Sequence, residues 1–393
     1  MARILLSALS APTGGGITYI RNIVPAFPLG PGDRLSVLSH EWHEGFAGRA
    51  DIEWIRAPGW SRPPITRFLL GLLYFRFFWP RRHDFDVVYY AGGTFDVPLP
   101  ARVRTVAAFR NMLAFDPAAR RRYRPGWTRF RNWLLSFVQG WGFRRANLVI
   151  FISEHGRQVI DARVRKRRGG SLVVPHGVAR TPRPLDSEML RRLPDRFVLY
   201  LSTLAGYKAQ LELVEAWACL RRRRPPVEKL VLAGPVYKPY ARRVRAAIRR
   251  HGLEEEVLLI GEIGHDQVFD LAGRAALNLF LSSCENCPNI LLELMSAGRP
   301  MLVSSRAPMP EFGGPDLEYV DPFDVPAVAA ALGRLIGDSA LRDRTAEAAS
   351  ARSAAFDWRR SAAMTSEAIR AVALDPAPAA GRAGESLGFS LTQ

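Results

Sequence analysis

Residues 284–300 read CENCPNILLELMSAGRP. Two carboxylates, Glu285 and Glu293, stand eight positions apart, with Pro288, Asn289 and the apolar run Ile290, Leu291, Leu292 between them. The stretch predicts a loop that turns into a helix. Proline is tolerated in a first helical turn, where its missing N–H would have no partner. Gly298 followed by Pro300 stops the helix. Free N–H groups at a helix N-terminus make a phosphate site, and a carboxylate is a good acceptor for sugar hydroxyls. Glu285 ahead of the helix and Glu293 inside it therefore suit a phosphate-bearing sugar. An amphipathic helix with two ordinary glutamates fits the same residues equally well, so the rest of the chain must decide.

The chain has 393 residues, more than one core of roughly 250–300 residues normally fills, so two domains are expected. A hydrophobic content of 48% with 23% charged residues is that of a globular chain rather than a disordered one. No run reaches the roughly 18 apolar residues of a membrane span. The opening MARILLSALSAPTGGG reads as a buried strand before a glycine turn, not as a secretory leader. Cys219, Cys284 and Cys287 cannot build a disulfide framework, which fits a reducing cytosol. Cys284 and Cys287 form a CxxC. With no second pair and no histidine at ligand spacing, they read as small side chains around the loop rather than a zinc site.

Charge is the strongest compositional fact. The formal net charge is +18. Residues 1–200 hold 32 Lys and Arg against 14 Asp and Glu, whereas residues 201–393 hold 23 of each. An excess confined to one half favours an acidic partner, either an anionic membrane or nucleic acid. Two stretches in that half are unusual. Residues 66–80 (TRFLLGLLYFRFFWP) are apolar and aromatic and run into Arg81 and Arg82. Residues 119–145 (ARRRYRPGWTRFRNWLLSFVQGWGFRR) mix arginine with Trp127, Phe130, Trp133, Phe137 and Trp141, the last four at helical spacing. Arginine with Trp and Phe on one helix is a membrane-interface pattern. Residues 66–82 and 119–145 are thus expected to meet an anionic membrane surface. A core helix with solvated arginines is the plain alternative. Nucleic-acid stacking is a rival that nothing else in the chain supports.

Residues 3–9 read as a buried strand, 12–16 (PTGGG) as a tight turn, and 17–27 as a helix carrying Ile17, Ile20, Val24 and Phe27. Strand, glycine loop and helix open a doubly wound α/β domain. Further strands are expected at 34–38, 87–90, 103–108, 148–152 and 171–174. Asp84 and Asp86 spell a DxD directly ahead of strand 87–90, so they read as a strand entrance rather than a metal pair. The basic loop 163–170 (RVRKRRGG) comes before the last of these strands. The first domain takes residues 1–180 and a linker 181–195. The second domain, 196–355, repeats the rhythm, with strands near 197–201, 229–233, 257–260, 277–281 and 300–304. A closing helix takes 356–373, and the tail 374–393 has a disordered composition.

Two α/β domains imply a cleft, with ligands at the carboxyl ends of the strands. Lys208 falls there, in STLAGYKAQ after strand 197–201. Lysine is rare in this chain, four against 51 arginines, and its natural role is to neutralise a diphosphate. A surface lysine is the plain alternative. Gly234 and the run Gly261, Glu262, Ile263, Gly264 end the next two strands.

In order, these pieces resemble the retaining, nucleotide-sugar-dependent glycosyltransferases of the GT-B fold, in the group 1 family (glycosyltransferase family 4). The resemblance covers residues 1 to 372. It rests on the glycine loop 14–16, ANLVIFISEHGRQVI at 146–160, VVPHGV at 173–178 and YLSTLAGYKAQLELVEAW at 200–217. LVLAGP at 230–235, GEI at 261–263, the E-x7-E from Glu285 to Glu293, MSAGRPMLVS at 295–304 and FDWRR at 356–360 complete it. Each piece is weak; their order is specific.

The resemblance implies an α/β fold of two Rossmann-like doubly wound domains facing a central cleft, with a C-terminal helix returning to the first. It implies that Lys208 binds the donor diphosphate, Glu293 the ribose hydroxyls and Glu285 the donor sugar. Backbone N–H groups around Asn289, Ile290 and Leu291 would hold phosphate. Gly14, Gly15 and Gly16 would approach from the first domain, and Ile263 would touch the base through its backbone. The configuration is retained by front-face attack, with the leaving diphosphate taking the acceptor proton, which asks for charge stabilisation more than for a strong base. No metal and no cofactor are implied; the nucleotide diphosphate sugar is a co-substrate. Two departures stand out. The family's arginine five residues before the lysine is Thr203 here. The first-domain histidine is replaced, in TVAAFRNMLAFDP, by Arg110 and Asn111, and Arg110 can stabilise negative charge but is no base. His155 and His176 read as structural residues in motif loops. The expected activity is transfer of a hexose to a lipid-linked or other envelope glycan at the cytosolic membrane face, with Glu285 nearest the chemistry. The alternative is an inactive GT-B-fold protein binding an anionic membrane or nucleic-acid surface.

Overall fold

A computed structural model describes residues 1–10, 15–40, 49–79, 84–97, 99–164, 166–178, 183–223 and 225–374, with the backbone alone at 64, 65, 68, 70, 72, 76 and 78. Gly14, Arg81, Arg82 and the tail beyond 374 lie outside the described residues. The first half runs β1 (Arg3–Ser7), α1 (Gly15–Ile23), β2 (Arg34–Ser39), β3 (Ile52–Arg56), α2 (Pro64–Leu73), β4 (Val87–Tyr90) and β5 (Arg104–Phe109). Then come α3 (Met112–Phe115), α4 (Pro117–Arg121), α5 (Trp127–Arg145), β6 (Leu148–Phe151), α6 (Glu154–Arg163) and β7 (Gly170–Val173). The second half runs α7 (Ser187–Arg192), β8 (Phe197–Leu201), α8 (Gln210–Arg223), β9 (Lys229–Ala233), α9 (Lys238–Arg250), β10 (Val257–Gly261), α10 (Val268–Arg274) and β11 (Leu277–Phe280). It ends with α11 (Asn289–Ser296), β12 (Met301–Ser304), α12 (Met309–Gly313), β13 (Glu318–Val320), α13 (Val325–Gly337), α14 (Ser339–Ser353) and α15 (Trp358–Leu374).

The chain forms two compact units. The first holds Met1–Phe115, Arg131–Gly177 and the chain from Asp357; the second holds Asp116–Phe130 and Val178–Phe356. Each is built on one parallel sheet. The first sheet has seven strands in the order β3-β2-β1-β4-β5-β6-β7, and the second six in the order β10-β9-β8-β11-β12-β13. Strands such as LVIF in β6 and FVLYL in β8 are buried at every position, as a sheet covered on both faces requires. The strand order reverses between β1 and β4 in one sheet and between β8 and β11 in the other. Such switch points are where open α/β sheets hold ligands.

Several details differ from the sequence reading. Gly15 and Gly16 are not in a loop but form the first turn of α1, which buries Tyr19, Ile20 and Ile23. The packing of that face outweighs the poor helix propensity of two glycines. The helix stops at Ile23 because Pro25 disfavours helical backbone just before it, so the buried Val24 and Phe27 lie beyond its end. His155 sits on α6 rather than in a loop. The expected linker contains α7, capped by the Asp186 carboxylate accepting from the Met189 N–H (2.8 Å). Leu185 and Met189 are buried in the second unit's core. The segment Asp116–Phe130, inside the span read as the first domain, clusters with the second unit.

Helix α5 turns two of its polar residues inward and leaves Arg131, Arg144 and Arg145 exposed. Asn132, Gln139, Gly142 and Phe143 are buried, while Trp127, Phe130, Trp133, Leu134, Phe137 and Trp141 are each between 45% and 68% exposed. The core-helix alternative is therefore overturned. At about 100° per residue the exposed apolar side chains fill an arc of about 120° opposite the buried ones. Leu69, Leu73 and Phe77 form a second exposed apolar row, on α2 and the short π-helical turn Tyr74–Phe78 that follows it. Among the described residues, no helix is long and apolar enough to cross a membrane.

Helix α15 packs within the first unit. Trp358 lies 5.2 Å from the His176 ring and 5.9 Å from Tyr19. Ser366 donates to the Pro28 carbonyl (2.5 Å), and Arg370 pairs with Asp33 (2.6 Å). Gly177 permits the approach, since a Cβ there would fall 2.2 Å from the Trp358 backbone nitrogen.

Candidate functional site

The site of the second unit grows from the strand ends at its switch point. After β8 the chain passes Ser202 and an exposed Thr203 and enters the 3-10 turn Gly206–Lys208. Gln210, at the head of α8, donates to Ser202 Oγ (2.8 Å) and to the Thr203 carbonyl (3.0 Å). The Tyr200 hydroxyl, reaching up from the strand, donates to the Lys208 carbonyl (2.6 Å). Ala209 then adopts φ +55, a left-handed conformation that costs a non-glycine residue about 1–2 kcal/mol. Such strain persists where the surroundings over-determine the backbone, often at functional sites.

These constraints leave Lys208 buried, its ammonium 5.3 Å from the Tyr207 ring and 5.1 Å from the Phe280 ring. It donates to Glu285 Oε1, on the loop after β11. The two loops are also joined by backbone: Ser283 donates its N–H (2.8 Å) and its hydroxyl (2.9 Å) to the Tyr207 carbonyl. Lys208 and Glu285 thus flank the switch point between β8 and β11, brought together from 77 residues apart. Removing either partner would leave the other charge largely buried and unpaired.

Helix α11 follows, with Pro288 as its N-cap residue. Asn289, Ile290 and Leu291 occupy the first turn, where backbone N–H groups have no acceptor inside the helix. The Asn289 N–H goes to the Cys287 carbonyl (3.0 Å). Leu291, Leu292, Leu294 and Met295 are packed into the core. Glu293 is buried with them at 7% exposure. Its Oε1 meets His265 Nε2 at 3.1 Å, and its Oε2 is buried with no hydrogen-bond partner among the described residues. A buried acceptor in that state suits a ligand hydroxyl. Ile263 is half-buried against the same core, two residues before His265. Gly234 closes the floor. Its φ is +129, a Cβ there would lie 2.3 Å from the Ser202 carbonyl oxygen, and its N–H donates to Gly261 (2.7 Å).

Cys284 is a bystander, with burial pushing its thiol well above the ordinary range. Asp84 and Asp86 are engaged by Arg3, at 2.5 and 2.7 Å, which holds both carboxyls below their usual range. Among the described residues, no group of three His, Cys, Asp or Glu could hold a metal ion.

In the first unit, Gly15, Gly16 and Tyr19 share α1. The Arg110 guanidinium lies 3.2 Å over the Tyr19 ring centroid, and its three nitrogens are buried with no hydrogen-bond partner among the described residues. The Tyr19 and Tyr89 hydroxyls meet at 2.7 Å, and His176 packs its ring 5.4 Å from Tyr19. The Arg110 guanidinium is thus buried against an aromatic floor, near the Tyr89 hydroxyl.

Sequence reasoning missed His265, the left-handed Ala209 and Tyr123. His265 stood two residues past Ile263 at a strand end, and a buried glutamate wanting a donor was the only cue. Tyr123 had none, because its neighbours Tyr207 and Tyr237 are remote in sequence.

Residues 185–352 match the family described as glycosyl transferases group 1. The alpha-D-kanosaminyltransferase of Streptomyces kanamyceticus is 29% identical over 159 residues, 39% of this chain and 40% of that protein. The serotype-specific mannosyltransferase WbdA of Escherichia coli is 27% identical over 176 residues, 44% of this chain and 22% of that protein. The match thus spans less than half of either relative. Among solved structures, HepE of Anabaena in complex with UDP and glucose superimposes with a TM-score of 0.68 at 17% identity, covering 94% of this chain and 100% of that one. Sucrose-phosphate synthase of Thermosynechococcus elongatus gives 0.68 at 16% identity, over 95% and 99%. At such identities the likeness establishes the fold, which is GT-B.

Proposed function

We propose that this chain is a retaining glycosyltransferase that moves a hexose from a nucleotide diphosphate sugar to a glycan acceptor, without a metal ion or cofactor. The observation that carries this reading is the meeting of Lys208 and Glu285 across the switch point of the second sheet. Beside them Glu293 offers a buried, unpartnered carboxylate oxygen. The match of residues 185–352 to group 1 glycosyltransferases supports it, as do a relative named a mannosyltransferase and a structural neighbour that holds UDP and glucose.

In this mechanism the diphosphate takes over Lys208 from Glu285, and the N–H groups at the start of α11 hold a phosphate oxygen. Glu293 accepts from the ribose hydroxyls, and the loop at Ile263 lies along the base. Glu285, released from the lysine, accepts from a donor-sugar hydroxyl. The bond from the anomeric carbon to the phosphate oxygen breaks while the acceptor oxygen bonds to the same face. The acceptor proton passes to the departing diphosphate oxygen. Negative charge grows on that oxygen, and preorganised donors stabilise it; Lys208 is the cation for it in the second unit, with Thr203 in the place of a further one.

The acceptor in this reading is a lipid-linked or other envelope glycan, met at the cytosolic face of a membrane. The exposed aromatic arc of α5 and the apolar row on α2 support contact with a bilayer. Arginines on α5 and the positive first half supply attraction to anionic lipid. Vesicles containing phosphatidylglycerol should carry the protein in flotation at low salt. No flotation at any salt concentration would remove the membrane placement.

The enzymatic reading is tested by a thermal-shift screen of nucleotide diphosphates and their sugars, followed by sugar transfer or hydrolysis. A ligand at about 100 times its Kd adds about 2.7 kcal/mol of stability. Lys208→Ala should lower kcat by about 10²–10³-fold. If no nucleotide sugar raises the melting temperature or is turned over, the reading fails.

A further inference from the structure

The segment Asp116–Phe130 comes from the first half of the sequence yet belongs to the second unit. It lies against the two strand-end loops that build the lysine site. Asp116 caps α4 by accepting from the Ala119 N–H (2.9 Å) and stands beside the Cys284 thiol, next to Glu285. Arg122 reaches Glu212 on α8 (3.4 Å) and stacks 3.5 Å over the Phe323 ring. Its backbone runs so close to the lysine turn that a Cβ on Gly206 would fall 3.2 Å from the Arg122 carbonyl oxygen. Tyr123 then packs its ring 6.2 Å from Tyr207 and 5.3 Å from Tyr237. Tyr207 immediately precedes Lys208, and its carbonyl is the acceptor that ties this turn to Ser283 on the loop of Glu285.

We propose that residues 116–130 are a strap over the donor site and that Tyr123 is a positioning residue, holding Lys208 at the diphosphate through Tyr207. The proposal rests on the donor-site reading above for its kinetic consequence, but not for its structural one. A long lysine side chain loses rotamer freedom when held at one point, so its placement depends on how the turn that carries it is held. The Tyr123 ring packed on the Tyr207 side chain and the Ser283 bonds to the Tyr207 carbonyl both restrain that turn.

The test uses the full chain with Tyr123→Ala and Tyr123→Phe, read by donor kinetics and by amide hydrogen exchange. A misplaced lysine should raise the donor KM and lower kcat together, by about 10–100-fold in kcat/KM for Tyr123→Ala. Tyr123→Phe keeps the ring and loses the hydroxyl, so it should recover most of that loss. Exchange should quicken in Tyr123→Ala at the amides of Lys208 and Ser283, which bond Ala205 and Tyr207, and stay unchanged along β9 and β12. Arg122→Ala, which frees the strap's other anchor, should act in the same direction. Wild-type kinetics and exchange in Tyr123→Ala would overturn the proposal. So would faster exchange throughout the second sheet, which marks a merely structural role. If the wild type turns over no donor, the enzymatic reading fails and the exchange pattern still decides for or against the strap.

Discussion

Glu293 shows best what the site asks of a single residue. Its neighbours on α11 are core leucines and a methionine, and its Oε2 is out of water with no hydrogen-bond partner among the described residues. An unsatisfied buried polar group costs about 1–3 kcal/mol, a cost that natural proteins tolerate mainly at working sites. Glu293→Gln keeps the volume and removes the anionic acceptor. It should raise the donor KM about tenfold, about 1.4 kcal/mol of binding, while leaving the melting temperature unchanged or higher. A melting temperature that falls with unchanged KM would make Glu293 a structural residue. The acidic pair was legible in the sequence because its spacing around Pro288 is local. The partnership of Lys208 with Glu285, and of Glu293 with His265, was not. Those contacts exist only once β8, β10 and β11 lie side by side.

At the level of elements, α5 is the clearest case of a pattern with two readings. Its aromatic spacing was visible in the sequence, and the spacing alone fits a core helix as well as an exposed one. Burial separates the two: polar Asn132 and Gln139 face inward, and Trp133 and Phe137 face out. Gln139 donates to the Gly92 carbonyl (3.3 Å), and Phe143 packs on Phe109 at 5.6 Å. The double variant Trp133→Ser with Phe137→Ser should therefore leave thermal or denaturant stability within about 0.5 kcal/mol of wild type. Phe143→Ala on the opposite face should cost about 3–5 kcal/mol. Denaturation curves that rank the two the other way would reverse the helix's orientation. Helix α7 was missed for a related reason. Six residues carry too few turns for periodicity, and its Asp186 cap reads as a turn signal until Met189 is seen in the core.

In the molecule as a whole, the last helix lies in the first unit, where it is fixed partly by charge. The Asp33 carboxylate accepts from the Ala2 (2.8 Å) and Gly30 (3.1 Å) N–H groups and pairs with Arg370. Burial alone would raise its pKa, but these donors and the guanidinium together outweigh it and hold the carboxyl below its ordinary range. A depressed folded pKa adds stability that is fully present above the unfolded value, about 3.9 for aspartate, and is lost as pH falls through the folded one. Asp33→Asn should thus lower the melting temperature at neutral pH, and the gap to wild type should narrow below about pH 4. A gap of equal size at pH 3 and pH 7 would show that this ionisation does not hold the helix.

Chain length, the alternation of apolar strands with amphipathic helices and the glycine-bearing strand ends were enough to establish two parallel-sheet α/β units. These signals are local, with a period of a few residues, and each survives whatever the rest of the chain does. The acidic spacing at 285 and 293 and the rarity of lysine marked the donor-site candidates for the same reason. Long-range pairing decided the rest. Strand order brought Lys208 to Glu285, and the strap of residues 116–130 left its neighbours in sequence for the second unit. Packing turned the aromatic face of α5 outward. Each of these turns on which surfaces meet in space, and the free energy of burial and pairing that selects them is shared among residues too far apart in the chain to leave a mark in any one stretch of it.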